Sequence, residues 1–291
     1  MIGIIGGTGL GDTLGTVGKG QTHNIDTPFG HPSAPILTTE VGGVPVALLS
    51  RHGEGHVLNP TSVPYRANIF ALKKLGVTRI IASGAVGSLR EEIAPRDLVL
   101  PDQLIDRTVH RPSTFFEGLA VHVEMAAPFC PALRAALTSA AATVPVKVHL
   151  RGTYVCMEGP QFSSRAESEM HRQWGGDLIG MTLMPEAKLA REAEICYASV
   201  ALSTDYDCWR AHRTDVDQLH LLEEIIGNVQ SATQNALALI RAGLPAIVSL
   251  PDNACTCQQA LKLAIWSDRR CISREVRDRL APLTGKYLDQ T

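Results

Sequence analysis

Short apolar strands alternating with glycine-rich turns and amphipathic helices predict an α/β fold: a β-sheet with helices on its faces and one ligand crevice along an edge. Three passages near the start of the chain carry that expectation. Each runs from a strand into a turn of small or polar residues: 2–5 into 6–11 (GGTGLG), 43–50 (GVPVALLS) into 51–56 (RHGEGH), and 77–83 (VTRIIAS) into 84–88 (GAVGS). A later passage has the same form, with the apolar, β-prone run 196–204 (CYASVALST) meeting Asp205, Tyr206 and Asp207.

The 291 residues carry 27 basic and 29 acidic side chains, a net charge of −2. That balance excludes the basic footprint of a nucleic-acid binder and a membrane-surface patch. The partner is expected to be a small molecule or another copy of the chain. No run reaches the roughly 20 apolar residues of a bilayer span, and the first residues lack a basic leader, so a cytoplasmic protein is expected. Composition shows no break, which predicts one domain over 1–291, with 246–291 as its C-terminal helical segment. Seven scattered cysteines do not form a secreted disulfide framework and read as small buried hydrophobes. The exception is the CxC pair Cys255 and Cys257, which could be redox-active, bind metal weakly, or do neither; without a nearby His or second Cys pair, a zinc site is not expected.

Taken in order, the first turn lets backbone N–H groups approach an anion, with Thr8 adding a hydroxyl. Its spacing is not that of a dinucleotide-binding turn, and a plain tight turn stays open. After the second strand, Arg51 offers a planar fork suited to phosphate and His52 a further donor, although such a pair is often a solvated surface feature. Residues 64–75 have helical periodicity with Gly76 as terminator. A strand is expected near 97–101, an irregular, functional or interfacial segment over 107–128, a helix over 131–142 and a strand over 144–155. A helix over 185–194 begins with Pro185 and carries Glu186 at its positive end. A long amphipathic helix fills 219–242, and one or two more fill 258–280. Strand alternation over the last passage puts Ser203, Asp205 and Asp207 on one face. Two adjacent carboxylates are costly there unless used, though a helix-capping pair is the alternative.

Six motifs together resemble the trimeric purine nucleoside phosphorylase family, and within it the members that cleave methylthioadenosine: GGTGL at 6–10, RHG at 51–53, GSLREEI at 87–93, MEGPQFSSRAE at 157–167, MTLMPEAKLA at 181–190 and TDYDCW at 204–209. The resemblance covers roughly 1–245. It implies a mixed, distorted β-sheet flanked by helices and a phosphorolysis in which inorganic phosphate, a co-substrate, displaces adenine from C1′. It implies no cofactor and no metal, and a homotrimer or a dimer of such trimers. Carried over by motif, Thr8, Arg51, His52, Gly84, Ala85 and Thr182 would hold phosphate. Met181 would meet the ribose; Phe162, Ser163, Asp205 and Asp207 the purine; Leu221 the methylthio group; and His122 a neighbouring subunit's 5′ pocket. Family members usually carry Thr or Ser where this chain has Gly84, so Ser83 or the Gly84 N–H would have to replace that hydroxyl.

The chemistry fits these residue types. Breaking an N-glycosidic bond builds positive charge on the ribose and negative charge on the leaving base, so an anion belongs near C1′ and a proton near purine N7. Asp205, its pKa raised by a neighbouring carboxylate, would give that proton, and Asp207 would accept from the 6-amino group. Related phosphorylases of inosine and guanosine place Asn there, which argues against a 6-oxopurine or methylthioinosine phosphorylase. The anion-binding set argues against a hydrolytic nucleosidase. Taken singly, Ser163 or Ser164 could merely cap a helix, Glu158 could be a surface charge or a core ion-pair partner, and His122 a structural histidine.

Overall fold

A computed structural model describes residues 1–6, 20–210, 218–252 and 255–288, the side chains of 218–222 excepted. The strand β1 (Ile2–Gly6) is buried at every position, as a strand covered on both faces must be. It lies between β4 (Val44–Ser50) and β5 (Arg79–Ser88), parallel to both. From β4 the sheet continues to β3 (Ile36–Val41) and β2 (Gln21–His23), both antiparallel. Gly42 and Gly43, with φ of 60° and 75°, make the tight turn between β3 and β4 that the strand twist requires.

Beyond β5 the sheet forks. On one side β11 (Cys196–Tyr206) runs parallel to β5 from Arg79 to Ser88 and carries β6 (Leu98–Val99) and then β8 (Val148–His149). On the other side β1 pairs only as far as Ala82, and β10 (Leu178–Gly180) joins antiparallel at Gly87 and Ser88, followed by β9 (Thr153–Met157) and β7 (Gln103–Arg107). The mixed sheet of eleven strands is therefore split along one edge of β5. Because β1 runs with β5 and β10 against it, the carboxyl ends of both strands point into the split.

Side chains alternate across the sheet into two cores. Ile5, Leu49, Ile80 and Ala82 face one side, covered by α1 (Tyr65–Lys74), α4 (Leu183–Glu192) and α6 (Arg274–Leu288). Ile2, Ile4, Leu48 and Ile81 face the other, covered by α2 (Pro131–Ala141) and α5 (Gln218–Val248). A shorter helix, α3 (Arg165–Gln173), starts at Ser164, whose hydroxyl accepts from Glu167 N while the Glu167 carboxylate accepts from Ser164 N. Gly76, at φ 78°, ends α1 as its sequence suggests. No described helix is long and apolar enough to cross a membrane.

Several expectations are corrected. Residues 84–88 are not a loop but the second half of β5. Residues 144–155 contain two short strands, β8 and the start of β9, rather than one. In 258–280 there is no continuous helix: 3-10 turns occupy Thr256–Gln259 and Arg269–Cys271, and α6 begins only at Arg274. The reason is competition for the backbone. His122 N donates to Ala264 O and Trp266 N to Ala120 O, so 264–266 is drawn out to pair with 120–122, and the Asp268 carboxylate accepts from Arg270 N.

Candidate active site

Arg51 follows β4 at the mouth of the split and is fully buried, so its charge must be met inside the protein. Its Nε and Nη2 donate to the two Glu186 carboxylate oxygens at 2.8 and 2.9 Å, and Nη1 donates to Ser83 O at 2.8 Å. Tyr197 Oη donates to the same carboxylate at 2.7 Å. Burial works against the Arg51 charge, but Glu186 outweighs it and holds the guanidinium protonated. Glu186 lies in the first turn of α4, as expected, and is there a buried counter-ion, 1% exposed. These bonds use three of the five guanidinium N–H groups and leave one on each terminal nitrogen, the fork geometry that suits an oxyanion.

The split supplies more donors. Peptide groups along a strand face alternate edges. Ser83 O points at Arg51, into the split, while Val86 O accepts from Thr204 on the β11 side. The N–H that opens into the split is therefore that of Ala85, an exposed residue, and not that of Gly84. A Cβ on Gly84 would lie 3.2 Å from Thr182 Oγ1 and 3.9 Å from Arg51 Nη1, so Gly84, Thr182 and Arg51 border one small space. His52 is placed differently from the expectation. Its Nδ1 lies 2.8 Å from Leu58 O, which can only accept, so Nδ1 carries the hydrogen. Burial and the neighbouring Arg51 charge lower the ring to about 4, so at neutral pH its Nε2 is an acceptor rather than a donor.

Next to Met181 the site is braced by a second ion pair, between the buried Arg111 and the partly exposed Glu158. Arg111 Nη1 donates to Met181 O and Met184 O, each at 2.6 Å, and Nε to Glu158 Oε1 at 3.0 Å. Glu158 is thus an ion-pair partner, partly exposed rather than in the core. Burial would raise its carboxyl, but the Val109 N–H, Thr61, the His110 N–H and Arg111 together hold it down at about 2. Gly159, at φ 68°, lets the chain pass so close to Met181 that a Cβ there would stand 2.5 Å from its sulfur.

At the far end of β11 a bulge falls between Ser203 and Asp205, with Thr204 as the extra residue. It breaks the alternation, so Ser203 does not share a face with Asp205 as the sequence pattern suggests. Asp205 Oδ1 accepts from Thr204 Oγ1 at 2.7 Å. Asp207 is anchored by its N–H to Ser88 O, and its Oδ2 is buried with no hydrogen-bond partner among the described residues. A buried carboxylate oxygen without a donor is costly, and a ligand amino group would relieve that cost. Cys208 Sγ donates to Ser163 O at 3.2 Å, which brings the 160–164 loop against this carboxylate's neighbour. Phe162, 85% exposed, stands open at the loop tip.

Two of the expected positions, Thr8 and the side chain of Leu221 on α5, are outside the described residues, and a third, His122, is expected to serve a neighbouring copy. His122 is exposed and its ring packs on Trp266, centroids 4.7 Å apart. Reading the sequence missed Glu186 as the partner of Arg51 and Arg111 as the brace beneath Met181. Only the invariable need of a buried arginine for a carboxylate could have pointed to the first.

At the strand ends of the split sheet, the buried Arg51 stands beside Gly84 and Thr182. The phosphorylase superfamily model matches residues 1–244, and the chain belongs to that superfamily. It is similar to the S-methyl-5′-thioadenosine phosphorylases of Geobacter sulfurreducens, 47% identical over 290 residues and 99% of each chain, and of Cereibacter sphaeroides, 48% identical over 99% of this chain and 98% of the relative. Both matches run on through the C-terminal segment. Among solved structures, a methylthioadenosine phosphorylase from an Antarctic soil metagenomic library superposes with a TM-score of 0.87 at 45% identity, over 97% of this chain and 98% of that one. A mutant adenosine/methylthioadenosine phosphorylase of Schistosoma mansoni in complex with methylthioadenosine superposes with a TM-score of 0.78 at 32% identity, over 99% of both chains.

Proposed function

We propose that this chain is an S-methyl-5′-thioadenosine phosphorylase, a pentosyltransferase that uses inorganic phosphate to convert methylthioadenosine into adenine and 5-methylthioribose 1-phosphate. The observation that carries this reading is the buried Arg51, locked by Glu186, beside Gly84 and Thr182 at the split in the β5 pairing. Arg51, Ala85 and Thr182, with Thr8, fix phosphate against C1′, and its charge stabilises the oxocarbenium-like ribose as the glycosidic bond opens. Gly84 leaves room for the anion, and His52, neutral beside Arg51, accepts the hydrogen of a monoprotonated phosphate. Met181 borders the ribose and Phe162 and Ser163 the base.

Asp205 donates a proton to N7 of the departing purine. Asp207 accepts from the 6-amino group, a role supported by its buried, unpartnered Oδ2. His122 completes a neighbouring copy's 5′ pocket together with Leu221, which makes a homotrimer, alone or paired, the working form. The enzyme acts in the cytoplasm in purine and methionine salvage, and catalysis needs no cofactor.

Adenine release from methylthioadenosine, followed with and without phosphate and beside methylthioinosine, tests the proposal. Phosphate-independent release would make the enzyme a hydrolase. Faster turnover of the inosine analogue would overturn the 6-amino preference, as would an Asp207→Asn variant whose amino-to-oxo substrate ratio stays unchanged.

A further inference from the structure

Four cysteines that are remote in sequence meet at one point. Cys130 immediately precedes α2, Cys196 opens β11, and Cys255 and Cys257 flank the start of the 3-10 turn that follows α5. Cys255 Sγ lies 3.5 Å from Cys130 Sγ and 3.3 Å from Cys196 Sγ, and all four sulfurs lie within 4.8 Å of one another. Three of the residues are buried and Cys255 is partly so. A tetrahedral ion bound to four thiolates at about 2.3 Å sets its ligand sulfurs roughly 3.8 Å apart, in the middle of the observed range. Ordinary packing of small buried thiols explains one such neighbour, not four donors at the spacing of a coordination tetrahedron.

The charges fit as well. A divalent ion with four thiolates carries a net charge of about −2, which a protein interior must offset. Two buried arginines are in place to do so. Arg191 Nη1 is 3.8 Å from Cys257 Sγ, and Arg79 lines the same cavity as Cys130, Cys196 and Cys255, held there by a 2.6 Å bond to Leu250 O. The CxC pair has no metal-binding partner nearby in sequence; the fold supplies two.

We propose that Cys130, Cys196, Cys255 and Cys257 bind a structural zinc ion, apart from the phosphate and nucleoside groups. Binding exchanges four S–H bonds for four zinc–sulfur bonds and releases the four protons, with no redox step. The ion fastens the C-terminal segment, and with it α6, to the head of β11 and the start of α2. The proposal does not rest on the catalytic reading.

The test is made on the full-length protein. Mass spectrometry of metals should find about one zinc per chain, and X-ray absorption should find four sulfurs at about 2.3 Å. Cys257→Ser should lose the ion, while Cys271→Ser, which alters an exposed cysteine outside the cluster, should keep it. Because Cys257→Ser could fail to fold, the wild-type chain is also stripped by chelator and reloaded with cobalt, which should give the charge-transfer and ligand-field bands of a tetrahedral thiolate site. Uptake of no cobalt, four alkylatable thiols with no bound metal, or an intact mass short by the hydrogens of two disulfides would each overturn the proposal.

Discussion

Glu186 shows how one side chain sets the character of a site it never has to touch. It neutralises Arg51 inside the protein while leaving the outer guanidinium N–H groups for an anion. Removing it would strand a buried charge, a loss of about 3–5 kcal/mol. Glu186→Ala is therefore expected to lower the urea midpoint sharply and raise the Michaelis constant for phosphate, and an unchanged midpoint would deny the pair its structural weight. His52 gives a prediction of opposite sign to a stabilising cation. Its folded pKa, about 4, lies below its ordinary 6.5. The native state then binds fewer protons than the unfolded one between those values, so the stability from neutral His52 is complete above pH 6.5 and is lost as pH falls toward 4. NMR titration of the ring should place its midpoint near the lower value; a midpoint at 6.5 would contradict the burial and the nearby Arg51 charge.

At the scale of elements, α3 depends on its first turn. Its capping box satisfies two backbone N–H groups reciprocally, and Ser164→Ala should cost about 1 kcal/mol in urea denaturation. Equal stability of the two proteins would mean that water replaces the cap. Local elements of this kind were legible in the sequence: a serine cap at 163 or 164, the Gly76 terminator, the strand that runs into Arg51 and the apolar run into Asp205. What was not legible depends on pairing between distant segments. The bulge at Thr204 exists only in the register of β11 against β5, and Glu186 reaches a partner 135 positions away. The lost helix over 258–280 yields to a bridge with Val121, which its own periodicity cannot reveal.

For the whole molecule, the C-terminal segment presents an apolar surface beside His122: Leu263 is 86% and Trp266 72% exposed. A homotrimer that lodges His122 in a neighbour's pocket would cover it. His122→Ala should then raise the Michaelis constant for methylthio substrates several-fold without changing the sedimentation of the assembly. An unaltered constant would separate His122 from the pocket. The split beside β5 bears on how the fold breathes. Ala85, on β5, lies beside the gap between β1 and β10 that a neighbouring strand would ordinarily fill, so an oxyanion bound as proposed would serve as the missing rung of the ladder. Hydrogen exchange at the Ala85 amide should slow markedly when phosphate is added. The Gly84 amide, already held by β11, should exchange at nearly the same rate with or without it.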